Sequence, residues 1–141
     1  MSRDCFQGRR VLITGAARGI GACTAAEFAH AGATLVLTDR DGPALEATVG
    51  RLRDGGAQVF AHVVDVTDKA AVDALAAEVI GTLGGLDVLI NNAGIGHTGE
   101  LADTSIETWR RLVDVNFWGP LYHVYAFLPS MIARRAGHVV N

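Results

Sequence analysis

The segment Thr14 to Gly21 (TGAARGIG) leaves an apolar run and opens a stretch at helical spacing, which is where a loop that cradles phosphate has to lie. Gly15 allows the tight turn, Gly19 lets backbone approach a pyrophosphate, and Gly21 permits close helix–strand packing. A helix that starts there offers unpaired N–H groups and a partial positive charge to an anion. The competing reading is a glycine-rich turn with no ligand. A P-loop is excluded, because it needs Lys followed by Ser or Thr, and Gly21 is followed by Ala22 and Cys23.

Asp39 is the second candidate. It stands 18 residues after Gly21, close to the spacing at which an acid binds the adenosine ribose of a dinucleotide. A carboxylate there accepts hydrogen bonds from both ribose hydroxyls and repels a 2′-phosphate, which favours NAD over NADP. Arg18 and Arg40 pull the other way, since either guanidinium could pair with that phosphate. Without the glycine loop, Asp39 would read as a solvated turn acid.

These residues require a frame of alternating strands and helices. Arg10 to Thr14 (RVLIT), Ala33 to Thr38 (ATLVLT), Gln58 to Val64 and Leu86 to Ile90 (LDVLI) read as strands, and His138 to Asn141 (HVVN) opens a fifth. A helix is expected from Gly19 to Ala31, stopped by Gly32. A second carries Leu45, Val49 and Leu52, with Pro43 in its first turn after Asp41 and Gly42 as candidate caps. A third carries Val72, Leu75, Val79 and Ile80 behind Thr67-Asp68. A loop spans roughly 95–104, and a long helical region runs from Ser105 to Arg135 with bends at Pro120 and Pro129. Such alternation predicts an α/β fold with a Rossmann-type, doubly wound parallel sheet, entered at its fifth strand when the sequence stops. Residues 1–141 read as one dinucleotide-binding domain, incomplete at its C-terminal end. On fold grounds alone a methyltransferase binding a nucleoside cofactor remains open.

Composition narrows the classes. Half of the 141 residues are hydrophobic and 19% charged, which suits a buried core. A net charge of −3 with no basic block argues against nucleic-acid binding. Met1 to Phe6 has no apolar run of signal-peptide type, and no uninterrupted apolar stretch reaches membrane-spanning length. Cys5 and Cys23 give neither a disulfide framework nor a metal spacing, and His30, His62, His123 and His138 have no ligand partners at useful spacing. No metal is expected, and a cytoplasmic setting is. His97 could face a substrate but reads more simply as a solvated loop residue.

TGAARGIG, DVTD at Asp65 to Asp68, NNAG at Asn91 to Gly94, and Val115-Asn116 together resemble the short-chain dehydrogenase/reductase family in content and order, from Arg10 to Asn141. The combination displaces the methyltransferase reading. The resemblance implies that Gly15, Arg18, Gly19, Ile20 and Gly21 with Asp39 and Arg40 hold a nicotinamide dinucleotide. It implies that Asp65 and Val66 line the adenine pocket, and that Asn92, Ala93 and Gly94 lie along the cofactor. Asparagines in such loops also hold neighbouring backbone, a role we assign to Asn91 ahead of Asn92. Asn116 matches a member of the family's catalytic set, which helps place a water connected to the catalytic lysine; in isolation it would read as a helix-bending or packing residue.

The rest of that set is a serine after the fifth strand and a Tyr-x-x-x-Lys pair. Tyr122 is followed four positions on by Ala126 and Tyr125 by Pro129, and Lys69 is the one lysine present. Carbonyl reduction needs a proton donor near the developing alkoxide, and a tyrosine lowered in pKa by a lysine is how the family supplies it. The family's strand order, 3-2-1-4-5-6-7, would leave the fifth strand at an edge normally covered. We therefore expect the sequence to be an incomplete copy of a longer chain. The implied function is interconversion of a small-molecule alcohol and a carbonyl by hydride transfer, with the cofactor part carried here. The alternatives are an inactive dinucleotide- or partner-binding module, or a remnant that does not fold alone. Trp109, Phe117, Trp118, Tyr122 and Tyr125 are expected to pack on the sheet or on another subunit, giving a homo-oligomer through the long helical region.

Overall fold

Every side chain of Val11, Leu12 and Ile13 is removed from solvent, as a strand covered on both faces requires. They belong to β1 (Arg10–Thr14), the central strand of the computed structural model, which describes residues 5–141; Met1 to Asp4 at the start of the expected domain lie outside the described residues. The elements that follow are α1 (Gly19–His30), β2 (Thr34–Asp39), α2 (Gly42–Asp54), β3 (Val59–Val63), α3 (Lys69–Leu83) and β4 (Val88–Ile90). After a 3₁₀ turn at Leu101–Asp103 come α4 (Ile106–Val113), a π-helical turn at Asp114–Trp118, α5 (Gly119–Arg134) and β5 (His138–Val140).

All pairings are parallel and the strand order is β3-β2-β1-β4-β5. The sheet grows outward from β1 in one direction and then in the other, so the strand order reverses between β1 and β4. The carboxyl ends of those strands flank the crevice in which such sheets bind ligands. Register places Thr14 beside Thr38, and Ile13 beside Ile90.

Strand alternation splits the core into two layers. Val11, Ile13, Leu35 and Leu37 face the α1 and α2 side with Ala25, Phe28, Leu45 and Val49. Leu12, Val36 and Leu89 face the opposite side with Val72, Leu75, Val79, Phe127 and Met131 of α3 and α5.

Helix ends follow local chemistry. Asp41 caps α2 by accepting from the Ala44 N–H at 3.1 Å, with Pro43 in the first turn, and Asp68 caps α3 through the Ala71 N–H at 3.0 Å. The expected long helical region is divided differently from its prolines. Pro120 starts α5 and Pro129 lies within it, while the irregularity falls at Asp114–Trp118, where the backbone widens to a π turn.

At the amino ends of the strands an ion-pair network closes the sheet. Arg10 donates to both carboxylate oxygens of Asp87, through Nε at 2.8 Å and Nη2 at 2.9 Å. Arg134 at the end of α5 adds a contact to Oδ1 at 3.3 Å, and Arg10 Nη1 donates to the Leu83 carbonyl. The Arg10 side chain holds the Asp87 carboxyl well below its ordinary range, against the opposing effect of burial.

Candidate functional site

The turn after β1 is built by contacts no other residue types would allow. Gly15 has φ +65°, and a Cβ there would lie 2.8 Å from Ala93 Cα. At Gly21 a Cβ would stand 2.2 Å from the Gly15 carbonyl oxygen and 2.6 Å from Asn92 Nδ2. The glycine loop, α1 and the NNAG loop are thus in direct backbone contact. Gly19 opens α1 at φ +57° with nothing near its missing side chain. Its need for glycine is conformational.

Other N–H groups of the loop are committed to the fold. Ala16 donates to the Thr38 carbonyl at 3.0 Å, and Ala17 donates to Asp39 Oδ2 at 3.0 Å. Thr48 of α2 donates its hydroxyl to the Ala17 carbonyl at 2.7 Å. The first intrahelical bond runs from the Ala22 N–H to the Arg18 carbonyl, which leaves the N–H groups of Gly19, Ile20 and Gly21 at the open end of α1.

Asp39 ends β2 with its carboxylate fixed at both oxygens, Oδ2 by Ala17 and Oδ1 by the Asp41 N–H at 3.0 Å. Each oxygen retains a further lone pair for an incoming hydroxyl. Arg18 pairs with Asp41 across the turn, and both side chains are substantially exposed. Arg40 is exposed beside them. Asp65 accepts from Thr67 twice at Oδ1, from N–H at 2.9 Å and Oγ1 at 2.8 Å. The Thr67 N–H is the first cause of an Asp65 carboxyl below its ordinary value; burial opposes it, and the charges of Arg40 and Arg111 add to it.

Across the crevice, Thr14 Oγ1 accepts from the N–H groups of Asn92 at 3.1 Å and Ala93 at 2.9 Å. The Asn92 side chain donates back to the carbonyls of Thr14 at 2.9 Å and Gly15 at 3.1 Å. Its amide N–H groups therefore stitch β1 to the NNAG loop. Asn91 donates to Asn141 Oδ1 at 2.8 Å, while its own Oδ1 is buried without a partner. Asn116 sits in the π turn and grips the backbone of Ile95, accepting from its N–H and donating to its carbonyl, both at 2.9 Å.

One cavity of about 480 Å³ gathers most of the anticipated residues: Gly15, Arg18, Ile20, Gly21, Asp39, Arg40, Asp65, Val66, Asn92, Ala93 and Gly94. Its size falls within the ~300–1,000 Å³ of ligand pockets. Two anticipated residues lie outside its lining. Gly19 is one, and Asn116 is the other; the latter lines an adjoining cavity of about 380 Å³ with Ala93, Phe117, Pro120, Leu121 and Val124. The larger cavity also takes in Asp41, Val64, Ile95 and Val115, which the sequence did not single out as site residues. Asp41 had a signal, as a helix cap three residues before Ala44. Ile95 reaches the site through a hydrogen bond spanning 21 positions, which no local pattern announces.

The residues present fit a dinucleotide. Apart from its chain neighbours and its own helix backbone, no protein atom lies within 4 Å of where a Gly19 Cβ would stand, the open N-terminus of α1 suits a pyrophosphate, and a preset carboxylate stands one strand away. His97 lies apart, exposed and paired with Thr104 Oγ1 at 3.1 Å. Among the described residues no helix is long and apolar enough to cross a membrane.

Comparison with known proteins agrees with the geometry. The family model described as short chain dehydrogenase matches residues 9–141, and the chain belongs to that family. It is 40% identical to dehydrogenase/reductase SDR family member 7B of Mus musculus over 143 aligned positions, covering 99% of this chain and 44% of that protein. Among solved structures it is similar to a metagenomic short-chain oxidoreductase in complex with NADP, with TM-score 0.90 and 37% identity over 95% of this chain and 61% of the other. It is also similar to a short chain dehydrogenase/reductase from Burkholderia phymatum in complex with NAD, with TM-score 0.92 and 39% identity over 96% and 49%. The chain spans about half the length of the curated relatives it matches. The family assignment, the parallel α/β architecture and a nicotinamide dinucleotide as the family's cofactor stand as expected.

Proposed function

We propose that this chain is the NAD-binding part of an oxidoreductase that interconverts an alcohol and a carbonyl on a small molecule. The observation that carries the reading is the Asp39 carboxylate, held by the N–H groups of Ala17 and Asp41 at the edge of the glycine-lined cavity. In that position it receives the two ribose hydroxyls of the adenosine half. The N–H groups at the start of α1 meet the pyrophosphate. Val66 and the aliphatic wall beside it accept adenine, and the backbone from Asn92 to Ile95 continues the cleft toward the second cavity. A bound nicotinamide dinucleotide supplies or accepts the hydride. Asn116 steadies the loop that borders both cavities.

A proton donor is the component that neither cavity supplies. No tyrosine or lysine lines either one, and neither Tyr122 nor Tyr125 has a lysine four positions on. This supports a second reading for these 141 residues taken alone, in which the dinucleotide binds without turnover. A cytoplasmic location and a homo-oligomer through α4 and α5 belong to the same proposal. The second is supported by exposed Ile106, Trp109 and Val113 on α4 and exposed Tyr125 and Ile132 on α5.

Calorimetric titration with NAD tests binding, and nicotinamide absorbance with a panel of alcohols tests turnover. Heat on NAD addition without absorbance change supports the binding-only reading, and both signals together support the enzyme. Absence of heat and of any thermal shift removes the binding proposal.

A further inference from the structure

Two carboxylates and two guanidinium groups meet at the ribose end of the cavity. Asp39 is committed to orienting hydrogen bonds, and Asp41 has three separate ties. Its Oδ1 caps α2 through the Ala44 N–H, its own N–H holds Asp39, and its Oδ2 pairs with Arg18. Arg18 is the residue immediately before α1, so its guanidinium reaches the cavity mouth from the glycine loop. In this position one of the two arginines able to neutralise a 2′-phosphate is already occupied by a carboxylate of the chain itself. Arg40 stands close enough to Asp65 for its charge to help hold that carboxyl ionised. The cavity lining therefore presents three carboxylates, Asp39, Asp41 and Asp65, against two guanidinium groups.

We propose that Asp41 is a determinant of cofactor specificity, which disfavours NADP by sequestering Arg18 and by adding a second negative charge beside Asp39. The proposal rests on the dinucleotide reading above and extends it to a residue that the ribose-binding acid alone does not explain. The helix cap gives the device its precision. Because Asp41 Oδ1 is fixed by the Ala44 N–H, Oδ2 faces the loop that carries Arg18. An exposed pair of this kind is weak in isolation. Its effect on a phosphate is larger than its effect on stability, since breaking it both removes a repulsive charge and releases a partner for a charge-assisted, bidentate contact.

The test compares NAD and NADP affinities by calorimetry in the unsubstituted protein, Asp41→Asn, Arg18→Ala and the double variant. Asparagine retains the capping acceptor, and an unchanged melting temperature checks that α2 is intact. The expected result is a rise of about five- to tenfold in the NADP-to-NAD affinity ratio for Asp41→Asn, reduced to the smaller part owed to charge repulsion when Arg18→Ala is added. An unchanged ratio in Asp41→Asn, with NAD still bound, overturns this inference alone. So does a gain that persists undiminished without Arg18, because sequestration would then play no part. Failure of the unsubstituted protein to bind either dinucleotide overturns the reading of the site and this inference with it.

Discussion

Asn116 closes a two-bond ring with the backbone of Ile95, its amide accepting from the N–H and donating to the carbonyl, each at 2.9 Å. This ring fastens the π turn between α4 and α5 to the loop that leaves β4. An asparagine amide offers a donor and an acceptor side by side. The Asn116→Asp variant keeps the acceptor and loses the donor; Asn116→Ala loses both. Asn116→Ala is expected to destabilise the fold by about 1 kcal/mol, as the loss of two exposed hydrogen bonds would. Hydrogen exchange at the Ile95 amide should quicken in Asn116→Ala and stay slower in Asn116→Asp. Equal protection in all three proteins would mean that the ring does not hold the loop.

Gly21→Ala tests the three-way contact among loop, helix and NNAG segment. The added carbon would lie 2.2 Å from the Gly15 carbonyl oxygen, so backbone has to shift. A loss of about 1–3 kcal/mol in stability is expected, of the size seen when packed interiors are overfilled. NAD affinity should fall further than stability, because the displaced segment carries the N–H groups proposed to meet the pyrophosphate. Chemical denaturation and calorimetry measure the two separately; a variant that binds NAD normally would refute the role of close approach at this residue.

Asp87 organises the opposite end of the sheet, far in function from the cavity. Its carboxylate is largely buried between Arg10 and Arg134. Asp87→Ala leaves both guanidinium groups without that partner and is expected to cost about 2–4 kcal/mol, with cofactor affinity unchanged in the folded fraction. The pH dependence has a defined sign. The carboxyl titrates lower in the folded chain than its ordinary value of 3.8. Its contribution is therefore complete above that value and lost as pH falls below it, so Asp87→Ala should flatten the acid limb of the stability curve.

His123 acts in a higher pH window. It is fully buried on α5, with Nδ1 2.9 Å from the Gly119 carbonyl and Nε2 without a partner. Burial holds its pKa below 6.5, with the Gly119 carbonyl partly opposing. Below about pH 6.5 the unfolded chain takes up a proton that the folded chain resists, so stability declines as pH falls through that range. Urea midpoints between pH 5 and 8 should show this slope, and His123→Leu should reduce it. An unaltered slope in the variant would place the titration elsewhere.

Much of this architecture is legible in the sequence because the decisive signals are local. Runs such as RVLIT and LVLT mark strands buried on both faces, and Asp41 and Asp68 stand where caps belong. The Gly15, Gly21 and Asp39 spacing likewise reflects a single turn and one crossover. What escapes is carried by long-range polar contacts. Thr14 reads as the end of a strand, yet its hydroxyl receives two N–H groups from a loop 78 and 79 positions away. The irregularity in the long helical region was expected at Pro120 and Pro129, whereas it lies at Asp114–Trp118, where tertiary bonding of Asn116 accompanies a widened turn. The ion pair of Arg18 with Asp41 depends on two loops meeting, so residue type alone suggested only an arginine open to phosphate.

The cavity at the carboxyl ends of β1, β2 and β4 is proposed to receive NAD. Amide chemical-shift mapping during NAD titration addresses it most directly, because it reports where the ligand sits as well as whether it binds. Saturable shifts are expected to concentrate at Gly15, Gly19 to Gly21, Asp39 to Asp41, Asp65, Val66 and Ala93 to Ile95, with the amides of Arg10 and Asp87 at the opposite sheet end unmoved. Saturation with shifts centred away from these residues, or no shifts at all, would contradict the proposal.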